Sequence, residues 1–414
     1  MIKGELTLPG DKSISHRALM LAALARGESQ ISNLSTGADV QTTRKCLEAC
    51  GIEIWDDGNE IIVKGGDFCD PKEPLDCGNS GTTARLLLGL LAGQGINATL
   101  IGDESLTSRP MNRILDPLSQ MGLTAESNKG TLPITIHQSK LTGIHYNTPV
   151  ASAQIKSAIL LAGLGATGNT SITESVLTRD HTERMLKGLG AELSVDGNSS
   201  IVSRLSSPLS NLEIAIPGDP STAAFFAAAA ALVPESEIYL NHVLANPTRT
   251  GFFSALEKMG AGIECLKQWD EAGEQIGNLK IFHQPLKAIL IDKEDVPRLI
   301  DEIPILAILA TQAEGTTEVG GAEELRVKEC DRIHAICSNL KRMGADTKEL
   351  DDGFIINGPT PLIGTKIETF NDHRIAMAFS IAGLISDGNI SLDHPGCASI
   401  SYPEFYSVLE SVTV

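Results

Sequence analysis

Six stretches of the chain are apolar at nearly every position over several helical turns. They read ALMLAALA after GDKSISHR, ARLLLGLLAG after GNSGTT, SAILLAGLG after SAQIK, TAAFFAAAAALV after GDPS, PILAILATQA after DEI and IAMAFSIAGLI after NDHR. A helix without a polar face has no side to give to water, so each stretch predicts a buried helix. The copies open at Asp11, Asn79, Ser152, Asp219, Asp301 and Asp372, roughly 70 residues apart, a period that marks a repeat architecture. Each apolar run passes through a turn into a short β-type segment such as NATLIG, NTSIT or GTTEV. Five copies then carry a second helix ending in LEACGIEI, LSQMGLTA, LKGLGAEL, LEKMGAGI or LKRMGADT. Gly51, Gly122, Gly190, Gly260 and Gly344 fall where a left-handed residue closes a helix. The pattern predicts an α/β fold of six pseudo-repeats, each with two helices interleaved with short strands. Asp219-Pro220 and the early Pro304 read as helix starts.

Composition narrows the function. A chain of 414 residues with 42% hydrophobic content suggests two or three domains of a folded protein. The formal net charge of −19 repels polyanions, which argues against nucleic acid and acidic membranes as partners. An anionic ligand must then be held by a local cluster of cations. The eight cysteines show no C-x-x-C pair, so neither a zinc ribbon nor a disulfide scaffold is expected. No signal or transit peptide is recognisable in MIKGELTLPG. No apolar run reaches the roughly 20 residues needed to cross a bilayer. A cytoplasmic protein is the expectation.

Caps and turns account for the Asp, Ser and Pro residues at the helix openings. They do not account for Lys12 and Arg17, which oppose the helix dipole. Unpaired backbone N–H groups beside cations form an anion site, and Ser13 with Arg17, like Lys12 with His16, shares a helix face. The stretch thus points to a bound phosphate or carboxylate, with a paired surface cluster as the competing reading. Further candidates are Gly81, Thr82, Arg85 and Arg109 around the second copy, and Ser152, Gln154, Lys156 and Arg179 around the third. The second half adds Asp301, Glu302, Lys328, Glu329, Arg332, His373 and Arg374. Taken singly, these read first as turns, caps and solvated charge runs, and Asp301 as a plain helix cap. The spacing of Lys328 and Arg332 places them on one face if that segment is helical. GLGATG at 163–168 matches a dinucleotide fingerprint but lies in helix-to-strand order, the reverse of what that fingerprint requires. GDKS lacks the glycines of a Walker A loop. There is no H-E-x-x-H and no His/Cys cluster, so no metal is expected.

In order along the chain, GDKSISHRALMLAAL, DCGNSGTTARLLLGLL, VASAQIKSAILLAGL, PGDPSTAAFF, LIDEIPILA, ELRVKECDRI and NDHRIAMAFS closely resemble the 5-enolpyruvylshikimate-3-phosphate (EPSP) synthase family. The resemblance implies two domains, 11–218 and 1–10 with 219–414, each an inside-out α/β barrel of three βαβαββ units, with the active site in the cleft between them. It implies transfer of the enolpyruvyl group of phosphoenolpyruvate to the 5-hydroxyl of 3-phosphoshikimate through a tetrahedral intermediate. Lys12, Ser13, Arg17, Ser152, Gln154, Arg179, Asp301 and Lys328 would then bind 3-phosphoshikimate. Lys12, Gly81, Arg109, Gln154, Arg332 and Arg374 would bind phosphoenolpyruvate. Asp301 matches the family's base and Glu329 its proton-transfer residue, with Lys12 also catalytic. No cofactor is implied, and a monomer acting on small molecules is expected. Two departures stand out: Ala153 where many members have a second Ser, and Ile400 where many have a Lys. The related UDP-N-acetylglucosamine enolpyruvyl transferases and a non-catalytic anion-binding repeat protein are the alternatives. The first usually carries a reactive Cys in a mobile loop, which TSRPMNRILDP lacks.

Overall fold

The computed structural model describes all 414 residues. The chain divides into two compact units, Lys12–Ile216 and Met1–Asp11 with Pro217–Val414. The first contains helices α1 (Lys12–Leu24), α2 (Ala38–Ala49), α3 (Gly81–Gln94), α4 (Glu104–Ser108), α5 (Asn112–Gln120), α6 (Ala153–Gly163) and α7 (His181–Gly188). The second contains α8 (Pro220–Leu232), α9 (Gly251–Lys258), α10 (Ile303–Gln312), α11 (Arg332–Arg342), α12 (His373–Ala382) and α13 (Phe405–Ser411). The six apolar runs are α1, α3, α6, α8, α10 and α12. Every residue of α8 is buried, as expected of a helix without a polar face. No helix is long and apolar enough to cross a membrane.

One strand order recurs. Glu213–Ala215 runs parallel to Gly27–Ser32, which pairs antiparallel with Glu60–Gly65 and through it with Glu53–Asp57. The sheets built on Ala98–Ile101 and Thr170–Thr173 repeat it: a parallel neighbour on one side, an antiparallel hairpin on the other. In the second unit, Lys3–Thr7 lies parallel to Glu237–Leu244, and Leu290–Ile291 to Gly315–Val319, each sheet again completed by a hairpin. The sixth copy departs from the predicted pattern. It has only Lys366–Ile367 parallel to Ser391–Leu392, because the chain after Leu392 is spent on a 3₁₀ turn and α13.

The five closing glycines have φ of 91° at Gly51, 102° at Gly122, 89° at Gly190, 86° at Gly260 and 84° at Gly344. A side chain is disfavoured there, which is why the same residue ends the second helix five times. Small residues also set the packing of the buried helices. A Cβ on Gly89 of α3 would lie 2.1 Å from the carbonyl oxygen of Ala158 in α6. The two backbones therefore touch directly. In the second unit, Phe225 and Phe226 of α8 pack edge-on or tilted against Phe405 of α13, with ring centroids 5.9 Å apart in both pairs. Burying an aromatic side chain of this size contributes about 1.5–3 kcal/mol.

Candidate active site

In the unit Lys12–Ile216, α1, α3 and α6 have no acidic residue in the first turn, where acidic residues would complement the helix dipole. Cations stand there instead. Lys12 is the first residue of α1, and its Nζ bonds Asp39 Oδ2 at 3.0 Å, at the start of α2. Arg17, one turn on, is buried: its Nε donates to Thr182 Oγ1 at 2.7 Å, Nη2 to Ser157 Oγ at 2.7 Å and Nη1 to the Ser13 carbonyl at 2.9 Å. Arg179 Nη1 donates to Ser13 Oγ at 3.3 Å. Ser152 caps α6. Gln154 Nε2 reaches Thr82 Oγ1 at 3.0 Å, and its Oε1 accepts from Arg85 Nη1 at 2.7 Å, tying α6 to α3.

Gly81 is the first residue of α3, and a Cβ there would lie 3.0 Å from Arg85 Nη1 and 3.3 Å from Arg109 Nη1. Its lack of a side chain lets two guanidinium groups approach one helix N-terminus. Arg109 is further held by Asn79 Oδ1 at 2.8 Å and Ser105 Oγ at 3.2 Å. Lys12, Ser13, Gly81, Ser152 and Gln154 thus stand at the openings of the three buried helices, where Arg17 and Arg179 meet at Ser13 and Arg109 approaches Gly81.

His16 differs from its sequence neighbours. It is fully buried, and its Nδ1 lies 2.7 Å from Thr43 Oγ1, which is 2.7 Å from Thr83 Oγ1; the Thr83 hydroxyl donates to Ser80 Oγ at 2.8 Å. Burial first, and then Lys12 and Arg17, hold its pKa well below the usual histidine value, so the ring is neutral. Lys156, a candidate from the third copy, bonds Glu174 and Glu183 inside the unit.

The second unit holds a mixed cluster instead of a basic patch. Asp301 lies in a 3₁₀ turn, Ile300–Glu302, ahead of α10. It does not cap that helix, whose N-cap residue is Glu302, so the simple-cap reading is set aside. Its Oδ1 lies 3.4 Å from Lys328 Nζ, 3.3 Å from Arg332 Nη1 and 3.9 Å from Arg374 Nε. Arg374 Nη1 also donates to the Asp301 carbonyl at 3.0 Å. Arg332, 1% exposed, donates through Nε to Asp372 Oδ2 at 2.7 Å and through Nη2 to Glu329 Oε2 at 2.6 Å. Burial works against this cation, but Asp372, Glu329 and Asp301 outweigh it and raise its pKa. The segment is not one helix, so the shared face that the spacing of Lys328 and Arg332 would give in a helix does not arise. Lys328 follows a 3₁₀ turn and Arg332 opens α11, yet both converge on Asp301. Ile400 ends the 3₁₀ segment Pro395–Ile400, with no cation in its place.

Sequence reasoning missed three supports. Asp39 holds Lys12. Asp372, read only as a helix opening, also grips Arg332. Arg249, on a loop with no motif of its own, is buried and bonds Asp11 Oδ2 at 2.9 Å, Asp219 Oδ1 at 3.1 Å and Ser221 Oγ at 3.1 Å. No local pattern marks any of these pairings, because the partners are distant in sequence.

One unit thus gathers cations at the openings of buried helices and the other sets carboxylates among cations, a chemistry suited to an enzyme that handles anionic substrates. Among solved structures, the fold is shared with the enolpyruvyl transferase NikO from Streptomyces tendae, with a TM-score of 0.78 and 18% identity over 99% of this chain and 95% of that one. An EPSP synthase from Acinetobacter baumannii superposes with a TM-score of 0.88 and 41% identity, covering 99% of this chain and 96% of that one. The family model for EPSP synthase (3-phosphoshikimate 1-carboxyvinyltransferase) matches residues 1–409. Proteins named 3-phosphoshikimate 1-carboxyvinyltransferase are 47% identical in Persephonella marina and 48% in Thermodesulfovibrio yellowstonii, covering 99% of this chain and 97% of each relative. The chain belongs to the EPSP synthase family.

Proposed function

We propose that both sets of side chains serve one reaction, the transfer of the enolpyruvyl group of phosphoenolpyruvate to the 5-hydroxyl of 3-phosphoshikimate with release of phosphate. This is the activity of the family to which the chain belongs. Arg17, Arg179, Ser13 and Ser152 take the phosphate side of 3-phosphoshikimate, where guanidinium groups and a helix N-terminus suit three acceptor oxygens. Arg109, Gly81 and Gln154 take phosphoenolpyruvate with Arg374 and Arg332, and Lys12 serves both substrates. Arg332 contributes least to binding, since most of its N–H groups are already given to Asp372, Glu329 and Asp301. Asp301 accepts the proton of the 5-hydroxyl as that oxygen attacks C2 of phosphoenolpyruvate, with Lys328 orienting the hydroxyl. Glu329 delivers a proton to C3. Loss of a C3 proton and of phosphate from the tetrahedral adduct then gives the enol ether. On this reading each unit is an inside-out barrel of three repeats, and the protein works as a cytoplasmic monomer.

The observation that carries the site assignment is Asp301 Oδ1, placed among three cationic groups within 3.9 Å. A base that must ionise between two anionic substrates needs such company. Purified protein is mixed with phosphoenolpyruvate and either 3-phosphoshikimate or UDP-N-acetylglucosamine, and phosphate release is followed. Release with the first acceptor alone is expected. Release with only the second, or with neither, overturns the reading.

A further inference from the structure

Arg179 sits on the loop between the strand Thr170–Thr173 and α7. A loop does not by itself hold a long side chain where a phosphate must be met. The grip comes from one turn of α6. Lys156, 2% exposed, bonds Glu174 Oε2 and Glu183 Oε1, each at 2.7 Å. Glu174 begins the loop and Glu183 lies just past it on α7. The hydroxyl of Thr178, next to Arg179 in the chain, donates to the other oxygen of Glu174. Ser157, beside Lys156, is 2.7 Å from Thr182 Oγ1. The loop is therefore fastened to α6, the helix that Ser152 caps and that carries Gln154, at Glu174 where it starts and at Thr182 and Glu183 just past its end, while Thr178 is tied to that anchor through Glu174.

Stability alone does not explain this arrangement. Desolvation disfavours the Lys156 ammonium, although Glu183 and Glu174 outweigh it and raise its pKa. Two buried carboxylates stand against one ammonium, and Glu183 Oε2 has no hydrogen-bond partner. An apolar trio of similar volume holds a loop at least as firmly. What a charged network adds is a defined geometry, and guanidinium–phosphate recognition depends on geometry.

We infer that Lys156, Glu174 and Thr178 are positioning residues, which set Arg179 in register with Ser152 and Gln154 for the phosphate of 3-phosphoshikimate. The inference rests on the reading of Arg179 given above. Thr178→Val preserves shape and removes only the hydroxyl. It is expected to raise KM for 3-phosphoshikimate about tenfold, with kcat and KM for phosphoenolpyruvate within about twofold. Thr178→Ser restores KM. Lys156→Met shifts KM in the same direction and further, if it folds. In an Arg179→Ala background, Thr178→Val adds nothing, because the side chain it positions is gone. The inference is overturned if Thr178→Val leaves KM for 3-phosphoshikimate unchanged, raises both KM values equally, or adds in full to Arg179→Ala. An Arg179→Ala enzyme with unaltered KM overturns the phosphate assignment of Arg179 itself, and the positioning role with it. A raised KM there with a silent Thr178→Val overturns the positioning role alone.

Discussion

Side-chain exposure separates the four carboxylates around Arg332 and Arg374. Asp301 is 13% and Glu329 18% exposed, whereas Asp372 is 0% and Glu302 3%. All four meet the protein's own cations, but only Asp301 and Glu329 keep part of their surface open, which suits the base and acid roles proposed for them. Asp301→Asn and Glu329→Gln keep the shape of the side chain but remove the charge and with it the proton-transfer role proposed for each. Each is expected to lower kcat about 10²-fold or more while KM changes little, measured by steady-state phosphate release. His16 gives a pH prediction. Its folded pKa lies below the 6.5 of an exposed histidine, so below that value the unfolded chain binds a proton that the folded one refuses. Its contribution is complete above pH 6.5 and is lost as pH falls towards the folded pKa. The urea midpoint should drop between about pH 7 and about pH 5.5, and His16→Gln should flatten that part of the profile. An identical slope in the variant would remove His16 from the account.

At the scale of the element, the apolar runs and their closing glycines were legible because burial and left-handed backbone each select residue types locally. The Lys328–Arg332 spacing was uninformative for a related reason. Spacing selects a common face only within a helix, and a 3₁₀ turn with a bend brought the two cations to Asp301 by another route. The spacing of the apolar runs predicted six pseudo-repeats, five of them with the second-helix signature, but that the sixth has no hairpin is something an apolar count cannot foresee. The contact of α3 with α6 is one direct consequence of small residues. Gly89→Ala would drive a methyl into the Ala158 backbone, which cannot yield as a flexible side chain can. A loss of about 1–3 kcal/mol is expected, read as a lower denaturant midpoint with the helical signal retained.

At the scale of the molecule, a chain of net charge −19 assembles local positive potential from residues as far apart as Lys12 and Arg179. Sheet closure is also long-range. Lys3–Thr7 pairs with Glu237–Leu244, and Ile2 and Leu8 are buried in the core of that unit. Removing residues 1–7 should therefore expose the Glu237–Leu244 edge and lower amide protection there, while protection of Gly27–Ser32 in the other unit is unchanged. Hydrogen exchange of the truncated protein checks this, and equal loss in both units would contradict it.

The amino-acid sequence by itself determined what depends on neighbours along the chain: buried helices from unbroken apolar periodicity, their ends from Asp, Pro and Gly, and cations where the helix dipole disfavours them. Motif resemblance added candidate roles. Only the tertiary structure decided which charges meet. Arg332 answers to Asp372, Lys12 to Asp39, Arg249 to Asp11, and Lys156 to two glutamates, each across a long stretch of chain. Coulombic attraction and desolvation act through space, so a pairing between distant residues leaves no periodic trace for a sequence to display.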